Sequence, residues 1–103
     1  MELIETPIFS KQVQAIWSDE EYRGFQVHLI LRPDAGAIIP GSGGLRKVRW
    51  QMPGRGKRGG ARVIYYWQDA AQRVYLLLLY PKNVRSTLSP AELRTLRKLV
   101  TDD

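Results

Sequence analysis

The sequence predicts an α+β fold: a small, twisted, mostly antiparallel four-stranded sheet packed with two N-terminal helices and a C-terminal helix, in the order β-α-α-β-β-β-α. Three patterns lead to this prediction. Capping boxes at Ser18 and Ser89 mark the start of two helices, because a glutamate follows each serine three residues later. Residues 47–52 alternate in polarity with the period of a strand. Residues 62–67 and 73–80 are almost wholly apolar, which is typical of central strands.

A short strand and a helical hairpin are predicted for the N-terminal third of the chain. The strand is expected over residues 2–6, and Pro7 then opens a first helix that extends to Trp17. A second helix begins near Asp19, since its acidic first turn suits the positive end of the helix dipole, and Pro33 stops it. Its predicted buried stripe is Tyr22, Phe25, Leu29 and Ile30.

Glycine and proline dominate residues 33–44, which are therefore predicted to form a loop. Within this loop, Ile38 and Ile39 are expected to reach the hydrophobic core. The last helix begins after the Ser89 cap, with proline at its first position, and continues to about Val100. Its inward-facing residues are predicted to be Leu93, Leu96, Leu99 and Val100. We expect the whole chain to form a single domain.

The composition argues against several kinds of site. Without cysteine, the chain can form neither a disulfide nor a cysteine-ligated zinc site, and it has no thiol chemistry. Its single histidine, His28, rules out a two-histidine ribonuclease mechanism and is interpreted as an uninvolved side chain. Asp69, in a turn, is the one acid of the central basic segment, so a metal held by carboxylates is not expected. We predict no metal and no cofactor.

Positive charge is concentrated in the middle of the chain. The formal net charge is +6, yet between Ala35 and Ala91 ten lysines and arginines accompany a single acid. One basic face is therefore expected, and a polyanion is its natural partner. Nucleic acid is favoured over a membrane, because no basic amphipathic helix is present. No apolar run approaches the roughly 18–20 residues of a membrane span, and no signal-peptide pattern is seen, so a cytoplasmic location is expected.

Three cations in the predicted strands are candidate site residues. Lys47 and Arg49 are two residues apart and therefore point to one face of their strand. Arg62 stands in an otherwise apolar strand, where its guanidinium must reach solvent, an acid or a ligand. Two interpretations remain open for Arg62, a structural ion pair and a phosphate-binding site, and we favour the phosphate.

The loops and tyrosines around these strands supply further candidates. The glycine-rich loop over residues 53–60 either forms a solvated hairpin tip or wraps a phosphate backbone. It is not a Walker loop, because the GK[ST] ending is missing. The tyrosines are core residues by pattern, unless a ring reaches the basic face and stacks on a base. These candidates are Arg55, Lys57 and Arg58 in the loop, Lys82, Asn83 and Arg85 after the last strand, and Tyr65, Tyr66 and Tyr80.

Four stretches of the chain carry a resemblance to a known family. They are SDEEYRGFQ at residues 18–26, GGLRKVR at 43–49, GKRGGARVIYYW at 56–67 and YLLLLYPKN at 75–83. In this order they resemble the RelE/ParE toxin superfamily, and most closely its HigB branch, over nearly the whole chain. The resemblance implies a small twisted sheet backed by two N-terminal helices, with the element order predicted above.

The resemblance also implies a function. Most characterised members are toxins of toxin–antitoxin systems and act as ribosome-dependent endoribonucleases, or mRNA interferases. They cut mRNA in the ribosomal A site and are held inactive by a cognate antitoxin. We therefore expect mRNA, the ribosome and an antitoxin of the helix-turn-helix type as partners. Two alternatives stay open, because ParE-like members share the fold but inhibit gyrase, and a basic RNA-binding module needs no catalysis.

The resemblance to RelE implies a role for several individual residues of this chain. Lys47 and Arg49 occupy the places of two basic residues that contact the substrate. Arg62 matches the arginine that stabilises the scissile phosphate. Lys82 and Arg85 match basic residues that follow the last strand.

The chain departs from the RelE pattern at two places. Asn83 stands where an arginine is typical, and the catalytic tyrosine near the C-terminus falls near Ser89. No tyrosine of this chain therefore matches the family's catalytic tyrosine. A neighbouring tyrosine or a lysine is expected to transfer the proton in its place. The predicted catalytic residues are Arg62, Lys47, Lys82 and Tyr80, and the predicted RNA-binding residues are Arg49, Arg55, Lys57, Arg58, Tyr66, Asn83 and Arg85.

Overall fold

Three helices and five strands make up the described part of the chain, which comprises residues 1–51, 60–84 and 87–100 of a computed structural model. A 3₁₀ turn, Asp69–Ala71, joins the last two strands. The α+β class and the predicted order of the helices and long strands are confirmed. In chain order the elements are β1 (Glu2–Glu5), α1 (Pro7–Ile16), α2 (Asp19–Leu31), β2 (Ala37–Ile38), β3 (Arg46–Gln51), β4 (Gly60–Gln68), β5 (Arg73–Pro81) and α3 (Pro90–Arg97).

The five strands form one mixed sheet in the order β1-β5-β4-β3-β2. β1 runs parallel to β5, and the other three neighbouring pairs are antiparallel. β4 and β5 lie inside the sheet, as their apolar sequences predict. The sheet is therefore mostly antiparallel, as expected, but it has five described strands where four were predicted.

The additional strand, β2, lies within residues 33–44, which were predicted to be loop throughout. It pairs antiparallel with β3, so that Ala37 lies opposite Lys47. Two residues are too few to show a strand period, and the surrounding prolines and glycines hide the pairing in the sequence. The prediction that Ile38 reaches the core is wrong, because this edge residue is 57% exposed. Ile39 does pack against the core.

Helices cover both faces of the sheet, and each face has its own hydrophobic cluster. We call the two sides the α1/α2 face and the α3 face. The buried residues that α1, α2 and their junction place on the α1/α2 face are Phe9, Val13, Trp17, Phe25 and Leu29. The cluster on the α3 face comprises Leu93, Leu96 and Val100 from the C-terminal segment, and Leu45, Ile64, Tyr75, Leu77 and Tyr80 from the sheet side.

A bulge in β5 decides which of its side chains reach the α3 face. The pairing of β4 with β5 skips Leu77, which is therefore an extra residue in β5. Tyr75 and Tyr80 both belong to the cluster on the α3 face. Five residues of unbroken strand would have turned them to opposite faces, because side chains alternate with a period of two. The bulge at Leu77 thus brings Tyr80 to the α3 face.

Two side chains that were predicted to lie on the buried sides of helices are exposed. Ile30 of α2 is 44% exposed, because Tyr22, Phe25 and Leu29 form the side of the helix that packs against the cluster of the α1/α2 face. Leu99 is 47% exposed. It follows the end of α3 at Arg97, so the helical spacing no longer applies to it.

A side-chain cap precedes each of the three helices, and the two capping boxes predicted at Ser18 and Ser89 are present. At Ser18, the hydroxyl accepts from the backbone N–H of Glu21, whose carboxylate accepts from the N–H of Ser18. Ser89 and Glu92 repeat this reciprocal arrangement at α3. Thr6 caps α1 by accepting from the N–H of a residue in its first turn. These caps satisfy backbone donors that a helix start leaves unpaired.

A buried tyrosine holds the loop that leads into β2. The hydroxyl of Tyr65 donates to the carbonyl of Pro33 at 2.6 Å and accepts from the N–H of Gly36 at 2.8 Å. A Cβ atom on Gly36 would lie 2.9 Å from the backbone carbonyl of Lys47, so glycine permits this close approach. Burial raises the pKa of Tyr65, because the phenolate loses its hydration.

Replacing Tyr65 by phenylalanine should lower the free energy of unfolding by about 1–3 kcal/mol, since Pro33 and Gly36 would each lose a buried partner. Urea denaturation at neutral pH measures the change. The raised pKa means that the neutral phenol stabilises the fold below about pH 10, and that this stability is lost as the pH rises further. The matched control is Tyr66→Phe, whose hydroxyl makes no hydrogen bond to another described residue. Equal stability of the two variants would contradict the role of Tyr65.

Candidate functional site

Two arginines and a tyrosine form a row across three neighbouring strands. Arg49 of β3 lies directly opposite Arg62 of β4, and Arg62 lies directly opposite Tyr80 of β5. Directly opposite residues share one face of a sheet, with Cβ atoms about 4.5–5.5 Å apart. Because Tyr80 belongs to the cluster beneath α3, all three side chains project on the α3 face. We call these three residues the arginine row.

The arginine row places two like charges side by side. Arg49 is exposed and Arg62 is half-buried. Ion pairs between described residues lie elsewhere, at Arg32–Asp34 and Glu2–Arg73. Like charges directly opposite each other destabilise a pair of strands, and a bound anion relieves the repulsion. Within the described part of the chain, this arrangement suits a phosphate better than a structural ion pair.

Lys47 extends the cationic surface along β3. It lies two residues from Arg49 on the same side of the strand, about 7 Å away along the chain. Its direct neighbours across the sheet are Ile64 of β4 and Ala37 of β2, and Lys47 is half-buried. The lysine therefore stands where the cationic surface meets an apolar one.

That apolar surface is a cavity of about 290 Å³ between the sheet and the start of α3. We call it the β2–α3 pocket. Aliphatic side chains form most of its lining, including Ile64 of the sheet and Leu93 of α3. Lys47, Tyr80 and Thr87 contribute the polar groups. The pocket and the arginine row share Tyr80, so the two features are continuous.

Tyr80 is 5% exposed, and its hydroxyl oxygen is buried. A substrate proton would reach this hydroxyl only after a local rearrangement. Tyr80 is therefore a weaker candidate for proton transfer than the two lysines, Lys47 and Lys82. Its position directly opposite Arg62 suits it to supporting the arginine.

Lys82 and Asn83 lie in the turn after β5, and both are exposed. The backbone N–H of Lys82 donates to the carbonyl of Gly60 at 3.3 Å. This contact holds the turn beside the first residue of β4, two residues before Arg62. The turn is therefore close to one end of the arginine row.

Tyr66 lies apart from the other candidates. It is four residues from Arg62 along β4, a separation of about 13 Å. Its ring lies beneath the guanidinium of Arg97 at 4.7 Å, and it packs near Gly44. Its predicted role in RNA binding stays a prediction. Four other predicted site residues lie outside the described ranges: Arg55, Lys57, Arg58 and Arg85.

A second groove, of about 470 Å³, runs along the edge of the sheet between α2 and β3. His28, Arg32, Lys47 and Arg49 contribute to its lining. The ring of His28 lies 4.9 Å from the ring of Trp50. Sequence patterns contain no signal for Arg32, because the end of α2 and the edge of β3 meet only in the folded chain. The groove continues the cationic surface around the edge of the sheet.

Two further properties bear on the kinds of site that the fold can carry. Among residues 1–51, 60–84 and 87–100, no three histidine, aspartate or glutamate side chains come together in a group that could hold a metal ion. Every helix within those ranges is too short or too polar to cross a bilayer.

Comparison with known proteins places the chain in a family. Residues 35–102 match the family model described as the RelE toxin of the RelE/RelB toxin–antitoxin system. The match covers about two thirds of the chain and includes the arginine row, Lys47 and Lys82. The fold is similar to that of an Escherichia coli RelE mutant in the free state, which carries two arginine-to-alanine changes. That comparison gives a TM-score of 0.62 and 15% identity, over 95% of this chain and 94% of the other. The fold similarity and the family match agree, and the chain belongs to the RelE toxin family.

Proposed function

We propose that this toxin is a ribosome-dependent, metal-independent endoribonuclease that cleaves mRNA in the A site. The observation that carries the proposal is the arginine row, in which Arg49 lies directly opposite Arg62 with no ion pair to another described residue. Membership of the RelE family supports the same activity. The closer assignment to the HigB branch is part of this proposal.

The reaction uses the nucleophile that RNA carries. The 2′-oxygen attacks the adjacent phosphorus, and its proton passes to a base. The bond from phosphorus to the 5′-oxygen breaks, and that oxygen takes up a proton. The products are a 2′,3′-cyclic phosphate and a free 5′-hydroxyl, so atoms balance without any co-reactant. The protein must align the groups, move the protons and stabilise charge on the phosphorane.

Arg62 is the proposed partner of the phosphorane oxygens. Its guanidinium is a planar fork that can bind two oxygens at once, and it remains positively charged throughout the reaction. Arg49, directly opposite, adds a second positive charge on the same face. Oxygens that gain charge in the transition state attract both cations more strongly than the ground-state phosphate does.

Lys47 is the proposed proton-transfer group, with Lys82 as the alternative. Lys47 projects on the same face as Arg49 and is half-buried, whereas Lys82 lies exposed in the turn after β5. Tyr80 is proposed to support Arg62 from the neighbouring strand. Such a site is sparse in acid–base groups, so we propose that the ribosome supplies the alignment of the mRNA.

A cognate antitoxin is the expected regulator of this chemistry. An acidic or amphipathic segment of a helix-turn-helix antitoxin would complement the cations of the α3 face. The proposed partners are therefore mRNA, the ribosome and that antitoxin, and the proposed location is the cytoplasm, where translation takes place.

The purified toxin should cut mRNA on programmed ribosomes and leave the same RNA almost intact when ribosomes are absent. The physical reason is that the protein's own acid–base groups are too few to align and activate a free RNA chain. Mapping of transcript ends in both reactions measures this. Cuts in phase with codons support the proposal.

Two results would contradict it. Efficient cutting of free RNA would remove the ribosome requirement. Intact mRNA together with inhibited gyrase in cells that express the toxin would favour the ParE-like alternative.

A further inference from the structure

We propose that α2 is a contact surface for a second copy of this chain, and that the two copies pack with their α2 helices antiparallel. The inference goes beyond the proposed function and does not depend on it. The contact surface comprises Gly24, Val27, Ile30 and Leu31, which we call the α2 stripe. All four residues are exposed, on the side of α2 that points away from its buried residues.

The apolar side chains of the α2 stripe are open to solvent. Leu31 is 73% exposed, Val27 is 51% exposed and Ile30 is 44% exposed. The opposite side of the helix buries Phe25 and Leu29 in the cluster of the α1/α2 face. The stripe recurs every three or four residues, which is the spacing with which one helix packs against another. Helix α2 therefore has two apolar sides, and the described part of the chain covers only one of them.

Gly24 lies in the stripe at a position where the fold has room for a side chain. Among the described residues, a Cβ atom here would meet the ring of Trp50 at 3.9 Å, an ordinary contact distance. Glycine inside a helix is less stable than alanine, so packing within one copy does not account for this glycine. An exposed glycine does let a second backbone approach closely. In the antiparallel pair, Val27 of the second copy lies against Gly24.

Opposite charges at the two ends of α2 select the antiparallel orientation. Glu20 lies in the first turn and Arg32 at the C-terminal cap, and both are exposed. When Gly24 of one copy faces Val27 of the other, Glu20 comes beside Arg32 of the second copy, since these residues lie four and five positions further along. Symmetry repeats the contact at the other end. Arg32 also contacts Asp34 of its own chain at 3.5 Å, but both side chains are largely exposed, so that pair is weak.

The local charge favours a second copy over a polyanion. Among residues 1–34, six acids accompany three lysines and arginines, whereas the other cations lie in the rest of the chain. Two copies that meet through α2 therefore bring their least cationic sides together, and RNA is not attracted there. The arginine row lies on the α3 face, so the dimer leaves both rows accessible.

The first test is sedimentation equilibrium of the wild-type toxin over about 1–500 μM. A contact through one helix of 13 residues, about 20 Å long, is at the lower end of interface sizes, so we expect a weak dimer. The average mass should rise with concentration from that of one chain towards that of two. A mass that stays at one chain up to the highest concentration would overturn the inference.

The second test exchanges the charges at the ends of α2. Glu20→Arg and Arg32→Glu should each weaken the dimer by about 5- to 50-fold, because both contacts of the symmetric pair become repulsive. An equimolar mixture of the two variants should regain the wild-type affinity, since each contact of the mixed dimer again joins a guanidinium and a carboxylate. The matched control is Arg94→Glu, at an exposed position on α3, which should dimerise as the wild type does. A mixture as weak as each variant alone would overturn the antiparallel pairing.

The third test, Val27→Glu, probes the apolar centre of the stripe and leaves the end charges in place. The dimer should be lost, because two carboxylates meet close to the symmetry axis. The melting temperature of the dilute, monomeric protein should stay near the wild-type value, since Val27 is half exposed and glutamate is a good helix former. Unchanged dimerisation of Val27→Glu would overturn the inference. A monomeric wild type, together with loss of the co-expressed antitoxin from Val27→Glu, would assign the stripe to the antitoxin and overturn it as well.

Discussion

Arg62→Lys is expected to slow single-turnover cleavage by about 10²–10³, corresponding to about 2.7–4 kcal/mol of transition-state stabilisation. The change keeps the positive charge but removes the planar fork that can hold two phosphate oxygens. Binding to the ribosome should change far less, because Lys47, Arg49 and the other cations of the surface remain. A loss in the chemical step without a loss of affinity is the signature of an interaction made in the transition state.

The measurement is cleavage on saturating programmed ribosomes, with the melting temperature recorded for each variant. Arg23→Lys is a suitable control, because Arg23 is exposed on α2, whereas the arginine row lies on the α3 face. It should match the wild type in both rate and stability. A well-folded Arg62→Ala protein that cleaves at nearly the wild-type rate would remove Arg62 from the mechanism.

The same variants distinguish catalysis from a structural role through stability. A structural ion pair would make Arg62→Ala lower the melting temperature. The observed register does not predict such a loss, because Arg62 lies directly opposite Arg49, and like charges directly opposite each other destabilise a pair of strands. We therefore expect Arg62→Ala to melt at or slightly above the wild-type temperature. Together with reduced cleavage, that result would mean that Arg62 acts in cleavage and does not stabilise the fold.

Local signals in the sequence were sufficient for most of the fold. The capping boxes at Ser18 and Ser89 depend on residues three apart, so a short stretch of chain contains all the information. The apolar runs of β4 and β5 likewise predict strands that are covered on both faces. The alternation in β3 placed Lys47 and Arg49 on one face, and the register confirms that placement.

Features that depend on pairing between residues distant in the chain could not be predicted from local sequence signals. β2 is a strand only because two residues meet β3, and its own sequence has no strand pattern. The bulge at Leu77 appears only in the register of β4 with β5, yet it determines the face on which Tyr80 lies. The β2–α3 pocket combines both features, since β2 supplies one wall and Tyr80 part of another. None of its geometry follows from local spacing.

Lys47→Arg is expected to lower single-turnover cleavage by about 10²–10⁴, the usual contribution of a proton-transfer group. Arginine keeps the charge but cannot release its proton in a protein, so it cannot take part in the transfer. If Lys47 transfers the proton, Lys82→Arg should stay within a few-fold of the wild type, because Lys82 is exposed in the turn after β5 and its charge is kept. Lys11→Arg, at an exposed position on α1, controls for the substitution itself.

A pH–rate profile separates proton transfer by Lys47 from a merely electrostatic role. If Lys47 moves the proton, the wild-type rate should depend on pH, and the limb that belongs to the lysine should vanish in Lys47→Arg. If Lys47 only attracts the phosphate, Lys47→Arg should keep both the rate and the shape of the profile. A large loss in Lys82→Arg with normal cleavage by Lys47→Arg would exchange the two assignments. It would move the proton-transfer step from the half-buried face of β3 to the turn after β5, while the role of the arginine row would stand.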